Sequence, residues 1–247
     1  MRIVKTLIFV FTVLIVIDNC GEREILPVRP EQAFTAVKTA ESPVIDGILN
    51  DTCWNGAESA VLVLSGDGGR PVYPTTVRSA WDDENLYIGF ECQDTDAAST
   101  VTVRDALMSG QEYISVYIDA DADSITYAAV DIAPTGVVSD AFILNNDGSG
   151  TKKKLSGWNC DGIRVSVSVY GGGARPDTED RFWTVEAALP FREFLTARRL
   201  PPMSGDMWRV SFHRVELTGV NELSTLVPTG DNAGRNTVTF GWLLFGG

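Results

Sequence analysis

Beyond residue 43 the chain alternates apolar and polar residues at every second position. In NLYIGFEC (85–92), Leu86, Ile88, Phe90 and Cys92 share one face. In EYISVYID (112–119), Ile114, Val116 and Ile118 oppose Tyr113, Ser115 and Tyr117. GIRVSVSVYG (162–171) sets Ile163, Val165, Val167 and Val169 against Arg164, Ser166, Ser168 and Tyr170. FWTVEAALPF (182–191) sets Trp183, Val185, Ala187 and Leu189 against Thr184, Glu186 and Ala188. MWRVSFHRVE (207–216) aligns Trp208, Val210 and Phe212, which leaves His213 in the outward phase, and VTFGWLLF (238–245) closes the chain. A period of two bounded by Asp-, Gly- and Asn-rich turns marks strands with one buried face. The pattern predicts an all-β chain, an antiparallel β-sandwich with one or two short helices.

Two stretches break that period. NDTCWNGA (50–57) reads as a helical turn capped by Asn50 or Asp51, with Trp54 placed to plug one end of the sandwich. PFREFLTARRL (190–200) reads as a second helix starting at Pro190, with Phe191, Phe194 and Leu195 on one side. Asp46-Gly47 is a turn signal. NNDGSGTKKKLSG (145–157) and GGGARPDTEDR (171–181) are long polar loops, either binding rims or tolerated insertions.

The N-terminus departs from the period altogether. Arg2 and Lys5 precede an apolar run from Leu7 to Ile17, shorter than the ~20 residues a spanning helix needs. This is the arrangement of an export signal over residues 1–20. Cys20, followed by Gly21, is the candidate lipidated residue of a lipoprotein; plain secretion and an uncleaved anchor are the alternatives. Residues 21–40 read as a linker and 41–247 as one sandwich domain. The expected location is outside the cytoplasm, as a cell-envelope lipoprotein or a secreted protein. Membrane contact is expected only through the lipid.

The 247-residue chain is 44% hydrophobic, ample for a core. Its net charge of −13 argues against nucleic acid as a partner, since phosphate binding needs a basic face. Cys53, Cys92 and Cys160 lack metal-ligand spacing and accompany a single histidine, so a Cys/His zinc site is not expected. One disulfide is allowed by the count, and the alternation places Cys92 as a buried thiol. Asp119, Asp121 and Asp123 in DADAD are candidate ligands of a hard cation such as Ca²⁺, with a solvated hairpin end as the alternative. There is no Gly-x-Ser-x-Gly elbow, so the chain is not expected to be a hydrolase of that kind. A glycosidase carboxylate pair is not assignable among 33 acids.

Taken in order, several stretches resemble carbohydrate-binding module family 9. PVIDGILNDTCWNGA (43–57), TTVRSAWDDENLYIGFECQDTD (75–96) and VRDALMSGQEYISVYIDADADSITY (103–127) are similar to its early strands and loops. VDIAPTGVVSDA (130–141), DTEDRFWTVEAALPFREF (177–194), WRVSFHRVE (208–216) and FGWLLF (240–245) are similar to its later ones. The resemblance implies a β-sandwich that binds oligo- or polysaccharide without cutting it, with calcium among its known ions. It also implies two tryptophans gripping a sugar, one before the YISVYID-like strand and one before the closing Phe-Gly. The corresponding stretches here, 106–112 and 231–241, contain no tryptophan. The candidate carbohydrate-binding set is therefore Arg104, Glu112, Trp158, Arg214, Asn232 and Arg235, groups that stack on or hydrogen-bond a pyranose. Arg104 with Asp105, and Arg214 with Glu216, are alternatively plain ion pairs. The missing tryptophans leave open a surface domain that binds a protein partner instead. A haem-binding relative, using Met108, Met203, Met207 or His213, is a third reading.

Overall fold

The computed structural model describes residues 33–145, 152–171, 181–217, 220–230 and 237–247. Strand is the dominant state, as the alternation requires. In chain order the strands are β1 (Ala33–Lys38), β2 (Ser59–Val61), β3 (Val63–Leu64), β4 (Thr75–Trp81), β5 (Asn85–Gln93), β6 (Tyr113–Asp119) and β7 (Thr126–Ile132). They continue with β8 (Val138–Asn145), β9 (Lys152–Leu155), β10 (Arg164–Tyr170), β11 (Phe182–Pro190), β12 (Met207–Glu216), β13 (Glu222–Thr225) and β14 (Gly241–Phe245). One helix, α1, spans Thr52–Gly56. The second expected helix shrinks to a single 3-10 turn at Phe191–Glu193, because Phe191 and Phe194 are drawn into the core as separate plugs. Among the described residues no helix is long and apolar enough to cross a membrane.

Two layers face each other. One runs β10-β11-β5-β4, with β2 added on β4; the other runs β14-β12-β6-β7-β8-β9, with β13 and β3 added beside β12. β1 joins them. Its residues 33–36 pair with β14 and its residues 37–38 with β4, both in parallel register, so the layers form one curled path. This strand lies inside the stretch read as a linker. Phe34 and Ala36 face the core, and a six-residue alternation beside charged residues and prolines is too short to stand out. The remaining pairings are antiparallel, as expected.

The inward phases meet in one core. Leu86, Ile88, Phe90 and Cys92 face Ile114, Val116 and Ile118, while Trp183, Val185, Trp208, Val210 and Phe212 complete it. Edge-to-face contacts of Phe212 with Phe34 and Phe90 tie three strands together at ring separations of 5.7 and 5.8 Å. Cys53, Cys92 and Cys160 are buried free thiols, and burial pushes each up to about 12, so they act as small apolar groups.

The segment 44–57 does not plug an end of the sandwich. It lies across the outer face of the β5–β11 layer, where Trp54 and Cys53 pack on Ala80, Tyr87 and Ala188. Glu186, fully buried on that outer face, accepts hydrogen bonds from the Asp46 and Gly47 amides (3.0 and 2.9 Å) and from Trp54 Nε1 (2.8 Å). The Asp46-Gly47 turn therefore folds around a carboxylate of another strand.

Candidate functional site

The outer face of the other layer carries a groove of about 850 Å³. Register places three rows of outward residues on its floor. Tyr113 and Val215 pair with each other, and Leu223 pairs with Val215. The next row runs Asp131–Ser115–His213–Thr225 across four strands. The third contains Tyr117 opposite Ser211. A polar row thus lies between an apolar row and a row with a tyrosine. The β3–β13 arm forms a wall with Leu64, Ser65, Gly66, Asp67, Asn221 and Glu222.

His213 is outward, as the alternation predicts, but it is only 2% exposed, and its ring lies 4.7 Å from that of Tyr117. Ser115 donates to Asp131 Oδ1 at 2.6 Å. Serine, histidine and aspartate are thus side by side, the residue types of a hydrolytic triad. Their connection is different: the serine proton is held by the carboxylate, not aimed at the imidazole. The N–H groups of these strands are directed into the sheet ladder, where they do not converge on a developing oxyanion. What the base of the groove brings together is tyrosine, hydroxyl and imidazole groups, the types that contact a polyhydroxylated ring, with Tyr113 the more exposed of its two tyrosines.

Beneath the groove, on the inward side of the same strand ends, Arg214 lies between the layers. It is 1% exposed and donates to Asp94 Oδ2 (2.7 Å), to the Gln93 carbonyl (2.6 Å) and to Glu216. Trp183 Nε1 also donates to Asp94 (3.0 Å). Glu112, equally buried, accepts from the Ala98 and Leu217 amides and lies hydrogen-bonded beside Glu216. Burial pushes Glu216 up to about 8 against the pull of Arg214, with Glu112 and Asp94 adding to the rise. Asp94, Glu112 and Glu216 bring oxygens within 4.8 Å of one another. The guanidinium already occupies the charge-balancing role there, and the cluster reads as a buried ion-pair knot that ties β5, β6 and β12.

The structure therefore splits the candidate residues. Glu112 and Arg214 support the groove floor from behind and are not among its lining residues. Arg104 reaches Asp140 Oδ2 and stays near Asp105, while Asp140 also accepts the Cys160 amide at 3.0 Å. Trp158 leans inward against Phe142, with ring centres 6.2 Å apart. These two residues share a corner of the fold away from the groove lining. Asn232, Arg235 and Cys20 lie outside the described residues. Met108 is buried under the 97–112 loop and Met203 is exposed, while Met207 and His213 sit six residues apart on β12, so these four do not converge on one haem.

Asp119, Asp121 and Asp123 do converge, with oxygens within 4.8 Å of one another. Asp119 accepts the Asp123 and Ser124 amides, and burial with its two acidic neighbours pushes it up to about 7. Asp121 Oδ1 is buried without a hydrogen-bond partner. An all-carboxylate donor set with one orphaned oxygen fits a hard cation such as Ca²⁺.

The groove residues Tyr113, Ser115, Tyr117, His213, Asp67 and Glu222 are missing from the set chosen by sequence. The outward phase of YISVYID carried the signal for three of them. The wall residues come from a short hairpin arm with no pattern of its own.

No protein-family model and no curated protein sequence matches the chain. Solved structures do. A carbohydrate-binding module of family 9 from Caldicellulosiruptor kristjanssonii, in complex with cellotriose, superposes with a TM-score of 0.59 at 17% identity, covering 87% of this chain and 94% of that one. The glucose complex of a module described in the same words gives 0.58 at 16% identity, over 87% and 96%. A candidate carbohydrate-binding protein from Bacteroides uniformis gives 0.65 at 13% identity, over 87% and 99%. The fold is that of the family 9 modules.

Proposed function

We propose that this chain binds carbohydrate without catalysis, through the groove on the outer face of the β6–β12 layer. The observation that carries the reading is the lining itself: Ser115 and His213, with Asp131 behind Ser115, lie in a row between Tyr113 and Tyr117 at the base of the groove beside the β3–β13 wall. Pyranoses present apolar C–H faces and a belt of hydroxyls, and this floor offers partners for both. The fold, shared with modules captured with cellotriose and glucose, supports the same reading. The aromatic contact comes from the strands and not from loop tryptophans, so affinity is modest. Calcium at Asp119, Asp121 and Asp123 is structural in this reading, fixing the β6–β7 turn. The N-terminal signal with Cys20 makes the protein an exported, lipid-anchored binder that holds glycan at the cell surface.

Calorimetric titration of the full chain with cellotriose, glucose and a glycan array, with and without Ca²⁺, tests this. Saturable binding that is weakened at least tenfold by Tyr113→Ala and by His213→Ala is the expected result. Flat titrations with every glycan in both conditions overturn it.

A further inference from the structure

We propose that the groove selects its glycan by charge, taking amino and neutral sugars and rejecting sugars that carry carboxylate, sulfate or phosphate. The inference rests on the carbohydrate reading and adds the chemical class of the ligand. Two carboxylates stand on the β3–β13 wall. Asp67 is exposed in the turn after β3, and Glu222, at the start of β13, is held in place by the Val72 amide at 3.1 and 2.9 Å. A third, Asp131, continues the polar row behind Ser115. Among the described lining residues there is no lysine or arginine.

Three arginines of the neighbouring strands and loops are directed elsewhere. Arg209 lies on the same face of β12 but is engaged further along the strand by Ser124 Oγ and the Val238 and Phe240 carbonyls (2.7, 3.0 and 2.8 Å). Arg214 points between the layers to Asp94 and Glu216, and Arg104 is paired with Asp140. The net charge of −13 adds a field of the same sign. A uronate entering this groove brings a carboxylate towards carboxylates, with no guanidinium among the described lining residues to receive it. A glucosamine brings an ammonium to the same wall.

Three β-1,4-linked trisaccharides with a common backbone test this: glucose, glucosamine with its C2 ammonium, and glucuronic acid with its C6 carboxylate. Each is titrated into the full chain at about 10 mM and about 1 M salt, where the Debye length is about 30 Å and about 3 Å. The glucosamine trimer is expected to bind roughly five- to tenfold more tightly than the glucuronate trimer at low salt, the ratio collapsing towards one at high salt. Asp67→Asn combined with Glu222→Gln is expected to reduce that ratio at low salt. If the double variant fails to fold, Asp67→Asn alone and the salt series on the unaltered chain give the same comparison. Glucuronate binding as tightly as glucosamine, or a ratio insensitive to salt, overturns the charge selection while leaving carbohydrate binding intact. Absence of binding by all three trimers, together with flat glycan-array titrations, overturns both.

Discussion

At the scale of single residues, Glu186 is the clearest case of a side chain whose role is set by its surroundings. It occupies an outward strand position, where a solvated carboxylate is the ordinary expectation. Instead the 44–57 segment closes over it, and three N–H groups satisfy it. Removing one side of such a buried arrangement orphans the other. Glu186→Ala is expected to cost about 2–4 kcal/mol in urea unfolding, because it strands two buried donors, the Gly47 amide and Trp54 Nε1, and the part-buried Asp46 amide. Trp54→Phe keeps most of the ring and loses one donor, and is expected to cost about 1–2 kcal/mol. Gly47 is also required. Its φ is +87°, and a Cβ there would lie 2.8 Å from Ser168 Oγ. Gly47→Ala is expected to cost about 1–3 kcal/mol by the same measurement, with α1 and Trp54 loosened first.

At the scale of elements, β12 shows how one strand serves two environments. Its inward phase begins apolar, with Trp208, Val210 and Phe212, and ends ionic, with Arg214 and Glu216. Its outward phase supplies His213 and Val215 to the groove. The ionic end has a consequence for pH. Glu216 ordinarily titrates at 4.5, and in the fold it is pushed up to about 8, first by burial. The folded state therefore holds this proton where the unfolded chain releases it. Its contribution is fully present below pH 4.5 and is lost as pH rises through about 8. Thermal melts are expected to show Tm falling between these values, and Glu216→Gln, which keeps a neutral partner for Arg214, is expected to flatten the slope. A Tm that rises over the same window contradicts the assignment. The outermost strand of this layer, β9, carries lysines at 152–154, a charge pattern that discourages pairing of open strand edges between molecules.

For the whole molecule, the decisive element is β1. It is paired in parallel on both sides and belongs to both layers, so its loss opens the curled path at its midpoint. Deleting residues 33–38 is expected to abolish cooperative unfolding, as read by loss of the near-ultraviolet circular dichroism of Trp81 and Trp208. The proposed calcium site lies at the other end of β6. A cation there would offset both the burial and the acidic neighbours that push Asp119 up. Millimolar Ca²⁺ is expected to raise Tm by a few degrees, following the linkage of binding to the folded state. Asp121→Asn is expected to reduce that gain, and a Tm unchanged by Ca²⁺ would remove the ion from the account.

The alternation in NLYIGFEC, YISVYID, FWTVEAALPF and MWRVSFHRVE was enough by itself to establish strands, their inward faces, the buried thiol of Cys92 and a two-layer core. Those properties follow from local periodicity and the burial of apolar surface, both written along the chain. Which strands become neighbours is not local. Only the tertiary structure placed β1 between the layers, laid Trp54 on an outer face, and set Asp131, Ser115 and His213 in one row from three strands. It also turned Arg214 and Glu112 inward, where paired charges between packed layers are satisfied by groups more than a hundred residues apart in sequence, as Arg214 is by Asp94 at 120 positions. No sequence period encodes a contact between distant strands, because register and packing select it only once the layers close.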